Sequence, residues 1–67
     1  MKPKFNYYEN RIIQVLRLSV RLLNTKEIAY YAKIDWATAN KYLLILKKKR
    51  IVKEIKIGIS KCWKLNI

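Results

Sequence analysis

Between Asn6 and Leu23, apolar side chains recur three and four residues apart at Ile12, Ile13, Leu16, Val20 and Leu23, the stripe of an amphipathic helix. The spacing predicts a first helix over this stretch. A second apolar line, Tyr8, Val15, Leu18 and Leu22, runs beside the first, with Arg11, Arg17 and Arg21 outside it. The apolar face is wider than one small core demands. In "NTKEIAYYA", Asn24 can cap a helix and Glu27, three residues on, can return a bond to the cap backbone. A second helix is predicted from Thr25 to about Ala32, with Ile28, Ala29 and Ala32 inward. Only "KI" separates it from Asp35, another N-cap, whose charge suits the positive end of a helix. A third helix is predicted from Trp36 to about Lys49. On its wheel Trp36, Ala39, Leu43, Leu46 and Arg50 form the core side, with Ala37, Thr38, Lys41, Leu44, Ile45 and Lys48 broadly opposite.

After Arg50 the period changes to two. Ile55 and Ile57 alternate with polar residues before Gly58, and Trp63, Leu65 and Ile67 alternate after it. A hairpin with its apex near Gly58 is expected to close the chain. Pro3 and Gly58 are the only Pro and Gly, so no linker interrupts the pattern, and residues 1–67 are expected to form a single domain.

A chain this short buries only about 60% of the surface its unfolded form exposes. Its lone cysteine, Cys62, excludes a disulfide framework, and with no histidine a standard zinc site is excluded too. No metal and no cofactor are expected. Stability is left to dense aliphatic packing, for which 52% hydrophobic residues supply material, or to oligomerisation. Charge narrows the partners: sixteen Lys and Arg face four acids, Glu9, Glu27, Asp35 and Glu54, for a net charge of +12. Such a chain seeks polyanions. No apolar run reaches the roughly 18 to 20 residues of a membrane span, and "MKPKFNYYENR" lacks the apolar core of a signal peptide. A cytoplasmic location is expected, the host cytoplasm if a virus encodes the chain. An enzyme is not expected, because the acids are scattered, two of them at caps, and Cys62 sits mid-strand without an obvious base.

Two helices joined by a short turn, the second more basic and followed by a hairpin, resemble the winged helix-turn-helix family of DNA-binding domains. The carriers are "NTKEIAYYAKIDWATANKYLLILKKKRIV" and the wing-like "KEIKIGISKCWKLNI", so the resemblance covers almost the whole chain. It is set out much as in small bacterial and archaeal transcription regulators. It implies an α+β, mostly α fold, three helices followed by a C-terminal β-hairpin wing, and a sequence-specific double-stranded DNA-binding protein that regulates transcription with helix 36–49 in the major groove. Lys33 and Arg50 stand where that family usually has glycine, so each must take φ > 0 or its turn must differ.

The small and polar outer side chains at the start of the third helix suit a groove about 12 Å wide. Ala37 and Thr38 are candidates for a thymine methyl, Asn40 for adenine, and Lys41 for guanine or phosphate. Lys26, Lys33, Tyr42 and Lys48, with Lys56, Ser60 and Lys61 from the wing, are candidates for phosphate and sugar. Ile57 and Ile59 at the apex are expected to pack rather than to enter DNA. Leu44 and Ile45 lie awkwardly opposite the core and, with the second stripe of the first helix, point to a homodimer through Phe5, Tyr8, Val15, Leu18 and Leu22. Such a dimer matches half-sites about 34 Å apart.

Two rival readings remain. A sequence-indifferent DNA coater needs only the charge, but it would gain from Lys or Arg where this chain has the uncharged "ATAN". An RNA-binding or protein-docking winged helix is the other, although Tyr30, Tyr31 and Tyr42 form no strand-borne stacking pair. A membrane-surface role would want Trp and Phe within a basic helix's apolar stripe, and the first helix has neither. No small-molecule substrate is evident. Abundant Lys, Ile, Tyr and Asn with scarce Gly and Pro match an AT-rich genome, the Lys- and Ile-rich makeup with few thermolabile residues leans towards a thermophile, and the minimal size resembles regulators encoded by archaeal viruses and plasmids.

Overall fold

The computed structural model describes residues 5–66, with elements in the order α1 (Tyr7–Leu18), β1 (Leu23–Asn24), α2 (Thr25–Ala32), α3 (Trp36–Lys48), β2 (Val52–Ile57) and β3 (Ser60–Leu65). Ile67, expected on the closing strand, lies outside the described residues.

Every helix begins on a side-chain cap. Asn24 Oδ1 accepts from the Glu27 amide at 2.8 Å, and Glu27 Oε1 accepts from the Asn24 amide at 3.0 Å. Asn6 and Glu9 make the same reciprocal pair at 2.8 and 3.0 Å. The two boxes share the pattern N-x-x-E, "NYYE" and "NTKE", so the first was open to reading from sequence, and Glu9 is no scattered acid.

Helix α1 stops at Leu18, five residues before the periodicity does. Ser19 is extended (φ −81°, ψ 135°), and its Oγ donates to the Arg21 carbonyl at 2.6 Å, holding a bend. Leu23 then pairs with Trp63 and Asn24 with Cys62, forming a two-residue strand that helical spacing concealed. Extended backbone at Asn24 (φ −82°, ψ 173°) serves both the strand and the cap of α2. As a result Leu23 reaches the core from a strand, while Val20, expected in the core stripe, is fully exposed.

Both α2 and α3 end on left-handed residues that are not glycine, Lys33 (φ 59°) and Arg50 (φ 61°). In each case a pair of bonds closes the end. The Lys33 amide donates to Tyr30 O and the Ile34 amide to Ala29 O, while the Arg50 amide donates to Lys47 O and the Ile51 amide to Leu46 O. This is the Schellman arrangement, and the isoleucine after each left-handed residue packs against the core, as that motif favours. The anchored isoleucines and satisfied carbonyls offset a left-handed penalty of about 1–2 kcal/mol per site. Arg11 Nε adds a bond to the Ala32 carbonyl at 2.6 Å.

The sheet is antiparallel in the order β1-β3-β2. Its core-facing residues Leu23, Val52 and Trp63 meet Ile12, Ile13 and Leu16 from α1, Ile28 from α2, and Leu43 and Leu46 from α3. Each such aliphatic burial is worth roughly 1.5–3 kcal/mol. Trp63 is the largest of them, and its indole N–H donates to Thr25 Oγ1 at 2.9 Å, tying β3 to the first turn of α2. The core stripe of α3 is shorter than its wheel suggests: Ala39, Leu43 and Leu46 are buried, but Trp36 is 56% exposed and Arg50 is exposed.

Candidate nucleic-acid interface

Helix α3 presents an exposed stripe of Ala37, Lys41, Leu44 and Lys48, spaced four, three and four apart. Leu44, 41% exposed, belongs to this outer stripe, whereas Ile45 is half-buried. The start of the stripe is held rigid. Asp35 Oδ2 accepts from the Thr38 amide at 3.0 Å, and Oδ1 accepts from the Thr38 hydroxyl at 2.6 Å. The hydroxyl bond, then the amide, hold the Asp35 carboxyl below its ordinary pKa. Thr38 therefore has its hydroxyl proton committed, leaving its methyl group and an oxygen lone pair to any ligand.

Beside the stripe lies an open cleft of about 380 Å³, lined by Asn24, Thr25, Lys26, Trp36, Asn40, Ile59, Ser60 and Lys61. Three elements meet there: the start of α2, the start of α3 and the tip of the hairpin. It brings together four residues named from sequence, Lys26, Asn40, Ser60 and Lys61. It also adds Trp36 and Ile59, which the sequence reading assigned to packing. The helical wheel could not reveal Trp36, because it shows the angle of a residue and not where along the helix the core ends. Lys33, Tyr42, Lys48 and Lys56 are outside the cleft lining.

Across the hairpin Lys56 is the direct partner of Lys61, and Lys53 of Lys64. Like charges placed directly opposite each other destabilise a ladder, so each pair favours an anion nearby. Internal acids do little to quench this charge. Among the described residues Glu27 pairs with Arg21, Glu54 with Lys47 and Glu9 with Lys49, at 2.7, 2.8 and 3.0 Å, and Asp35 is spent as a cap. The Lys47 bond, and more weakly Lys61 and Lys56, hold the Glu54 carboxyl below its ordinary pKa. The Lys47–Glu54 pair also tethers β2 to the end of α3.

No protein-family model matches the chain, and no curated protein is significantly similar to it. Solved structures do match. The zinc-responsive MarR family member ZitR of Lactococcus lactis superposes with a TM-score of 0.81 at 20% identity, over 97% of this chain and 46% of its own. A cysteine-to-serine variant of ZitR gives 0.76 at 20% identity, over 96% and 47%. The chain thus spans about half the length of these neighbours. With three helices, an antiparallel hairpin and this superposition in hand, the expected fold is the observed one. The chain is a winged helix-turn-helix.

In winged-helix terms α2 and α3 form the helix-turn-helix, with Lys33 at the turn, and β2–β3 form the wing. The wing differs from expectation at its tip, where Ile57 and Ile59 are not packed: they are 54% and fully exposed. The residues expected at a dimer contact divide. Phe5 and Val15 pack partly against the chain's own core, and the Tyr8 ring stacks on Tyr42, with centroids 5.3 Å apart. Leu22 is half-buried in the segment after α1, and Leu18 stands 79% exposed at the end of the helix. Leu18 and Val15 line an open apolar groove with Val20 and Tyr31. Lys41 Nζ lies 5.4 Å from the Tyr42 ring centroid, so Tyr42 has one face on α1 and a cation near its ring. No described helix is long and apolar enough to cross a membrane.

Proposed function

We propose that this winged helix binds double-stranded DNA sequence-specifically and regulates transcription, with α3 in the major groove and the wing on the flanking backbone. The observation that carries the reading is the cleft, where Lys26, Asn40, Ser60 and Lys61 converge beside the exposed stripe of α3. A strand of DNA entering it meets cations for phosphate, an indole face for sugar, and Asn40 within reach of base edges. Ala37, Thr38, Asn40 and Lys41 read bases. Lys26, Lys33, Lys48, Lys56, Ser60 and Lys61 hold phosphate or sugar, and Tyr42 supports Lys41 from the flank. Two copies meet through the face of Phe5, Tyr8, Val15, Leu18 and Leu22, of which Leu18 stands most open, beside the apolar groove it lines with Val15.

A sequence-indifferent coating role draws on the same lysines. The small, uncharged Ala37, Thr38 and Asn40 at the start of α3 favour the regulator, because they contribute to base discrimination and little to phosphate attraction. The test is selection of bound duplexes from a random-sequence pool at about 150 mM salt, where non-specific attraction is weakened. Enrichment of a palindrome with half-sites about one helical turn apart is the expected result. Binding without an enriched motif assigns the protein to coating, and absence of duplex binding overturns DNA as the partner.

A further inference from the structure

The wing ends in an apolar point on a cationic stem. Ile57 pairs with Ser60 on the last rung of the ladder, and Gly58 and Ile59 make the turn, with Gly58 at φ +62°. A methyl group built on Gly58 would meet no atom within 4 Å, so the turn faces open space at Gly58. Ile57 is 54% exposed and Ile59 fully exposed. One rung behind them stand Lys56 and Lys61, directly opposite each other. The nearest acid on the wing, Glu54, is bound by Lys47 at 2.8 Å.

Two aliphatic side chains held in water at the point of a two-residue turn gain nothing for the fold. Polar residues would serve the turn equally well. The chemistry of the tip instead matches a partner that offers an apolar slot bordered by negative charge. Stacked base pairs seen from the minor groove present that arrangement: the faces of adjacent pairs are apolar, and phosphates line both rims. The side chain of Ile59 also lines the cleft that holds Trp36 and Asn40, which places the tip on the side of the molecule where α3 exposes its stripe. An anionic membrane would satisfy the charge, but it would not engage that stripe.

We propose that Ile57 and Ile59 form a wedge that enters the minor groove beside the site read by α3, partly unstacks one base step and bends the duplex, while Lys56 and Lys61 grip the phosphates on either rim. This rests on the DNA-binding reading above. It makes the protein a reader of deformability as well as of base edges: flexible pyrimidine–purine steps under the wing are favoured although no side chain hydrogen-bonds to them.

The experiment uses a duplex of about 30 base pairs from the selected pool, with dyes at its ends and 2-aminopurine at successive positions flanking the α3 site. The intact protein is expected to raise 2-aminopurine emission at a single step and to bring the ends together by a bend on the order of 20° or more. The double variant Ile57→Ser, Ile59→Ser is expected to keep the same enriched motif and bind within about tenfold of the parent, because it loses the wedge and the cost of unstacking together. It should lose both the emission signal and the bend. Both positions are exposed, and unchanged circular dichroism confirms the variant's fold. Tight, motif-specific binding to a straight duplex with no emission change overturns the wedge and leaves the DNA reading standing. Loss of all duplex binding by the parent overturns both. Capture by vesicles containing anionic lipid that the double variant abolishes, with an undistorted duplex, assigns the tip to membrane instead.

Discussion

Removing the Lys61 side chain tests whether the position of charge, and not its total, governs binding. Five lysines, Lys26, Lys33, Lys48, Lys56 and Lys61, are exposed, form no ion pair among the described residues, and are assigned here to phosphate. If each displaces counterions as one phosphate contact does, log K falls with log salt at a slope of about −4.5 per chain. A rise from about 50 to 200 mM salt then weakens binding by about 500-fold. Lys61→Ala should move the slope to about −3.6 and weaken binding about fivefold at 150 mM, for every duplex alike. Lys49→Ala removes the same charge from a side chain bonded to buried Glu9 at 3.0 Å, and should leave the slope unchanged. The assay is fluorescence anisotropy of a labelled duplex at four or more salt concentrations, with each variant's fold checked by circular dichroism. If Lys49→Ala flattens the slope as much as Lys61→Ala, total charge controls binding and the phosphate assignments are wrong.

Glu9→Gln should cost about 1–3 kcal/mol, because the amide keeps a bond from Asn6 but presents a donor to the Lys49 ammonium inside a buried site. Although burial alone pushes the Glu9 pKa up, the Asn6 amide and Lys49 outweigh it and hold the value below the ordinary one. Its contribution is therefore complete at neutral pH and fades as pH falls below the ordinary carboxylate range, so parent and variant midpoints in urea should converge in acid; a gap independent of pH would contradict this. Lys33→Gly relieves about 1–2 kcal/mol of left-handed strain against roughly 0.5–1 kcal/mol of added chain entropy, so it should be neutral or stabilising by up to about 1.5 kcal/mol. A destabilised variant would show that the lysine side chain supports the turn. Trp63→Phe should cost about 2–4 kcal/mol in thermal or urea unfolding, from a void and an unsatisfied Thr25 hydroxyl, while Trp36→Phe should stay within about 0.5 kcal/mol. Equal losses at the two tryptophans would contradict their burial.

Much of this molecule was legible from local rules. Asn24 with Glu27 and Asp35 with its following turn set the starts of α2 and α3 because a cap is chemistry between residues three apart. The alternation on either side of Gly58 announced the wing, and the family resemblance, which puts glycine where Lys33 and Arg50 stand, left a choice between φ > 0 and a different turn that the fold resolves as φ > 0. The interface was partly legible: Asn40, Lys26, Ser60 and Lys61 were named for their chemistry, and the fold gathers them into one cleft. Glu9 was missed despite a readable signal, the same N-x-x-E spacing that marks α2.

What sequence alone determined here is the three helices and the closing hairpin in their order, the surplus of positive charge and the identity of most core residues, all of which depend on near neighbours or on simple counts. Tertiary structure decided the remainder. It ended α1 at Leu18, because Leu23 and Asn24 gain more as partners of Trp63 and Cys62 than as another helical turn. It left Trp36 in solvent, because the core stops below the first turn of α3, and it turned Ile57 and Ile59 outward at a tip that nothing covers. It also separated the lysines bound to Glu9 and Glu54 from those available to a partner, because an ion pair between residues 40 positions apart in the chain exists only once packing has brought them together.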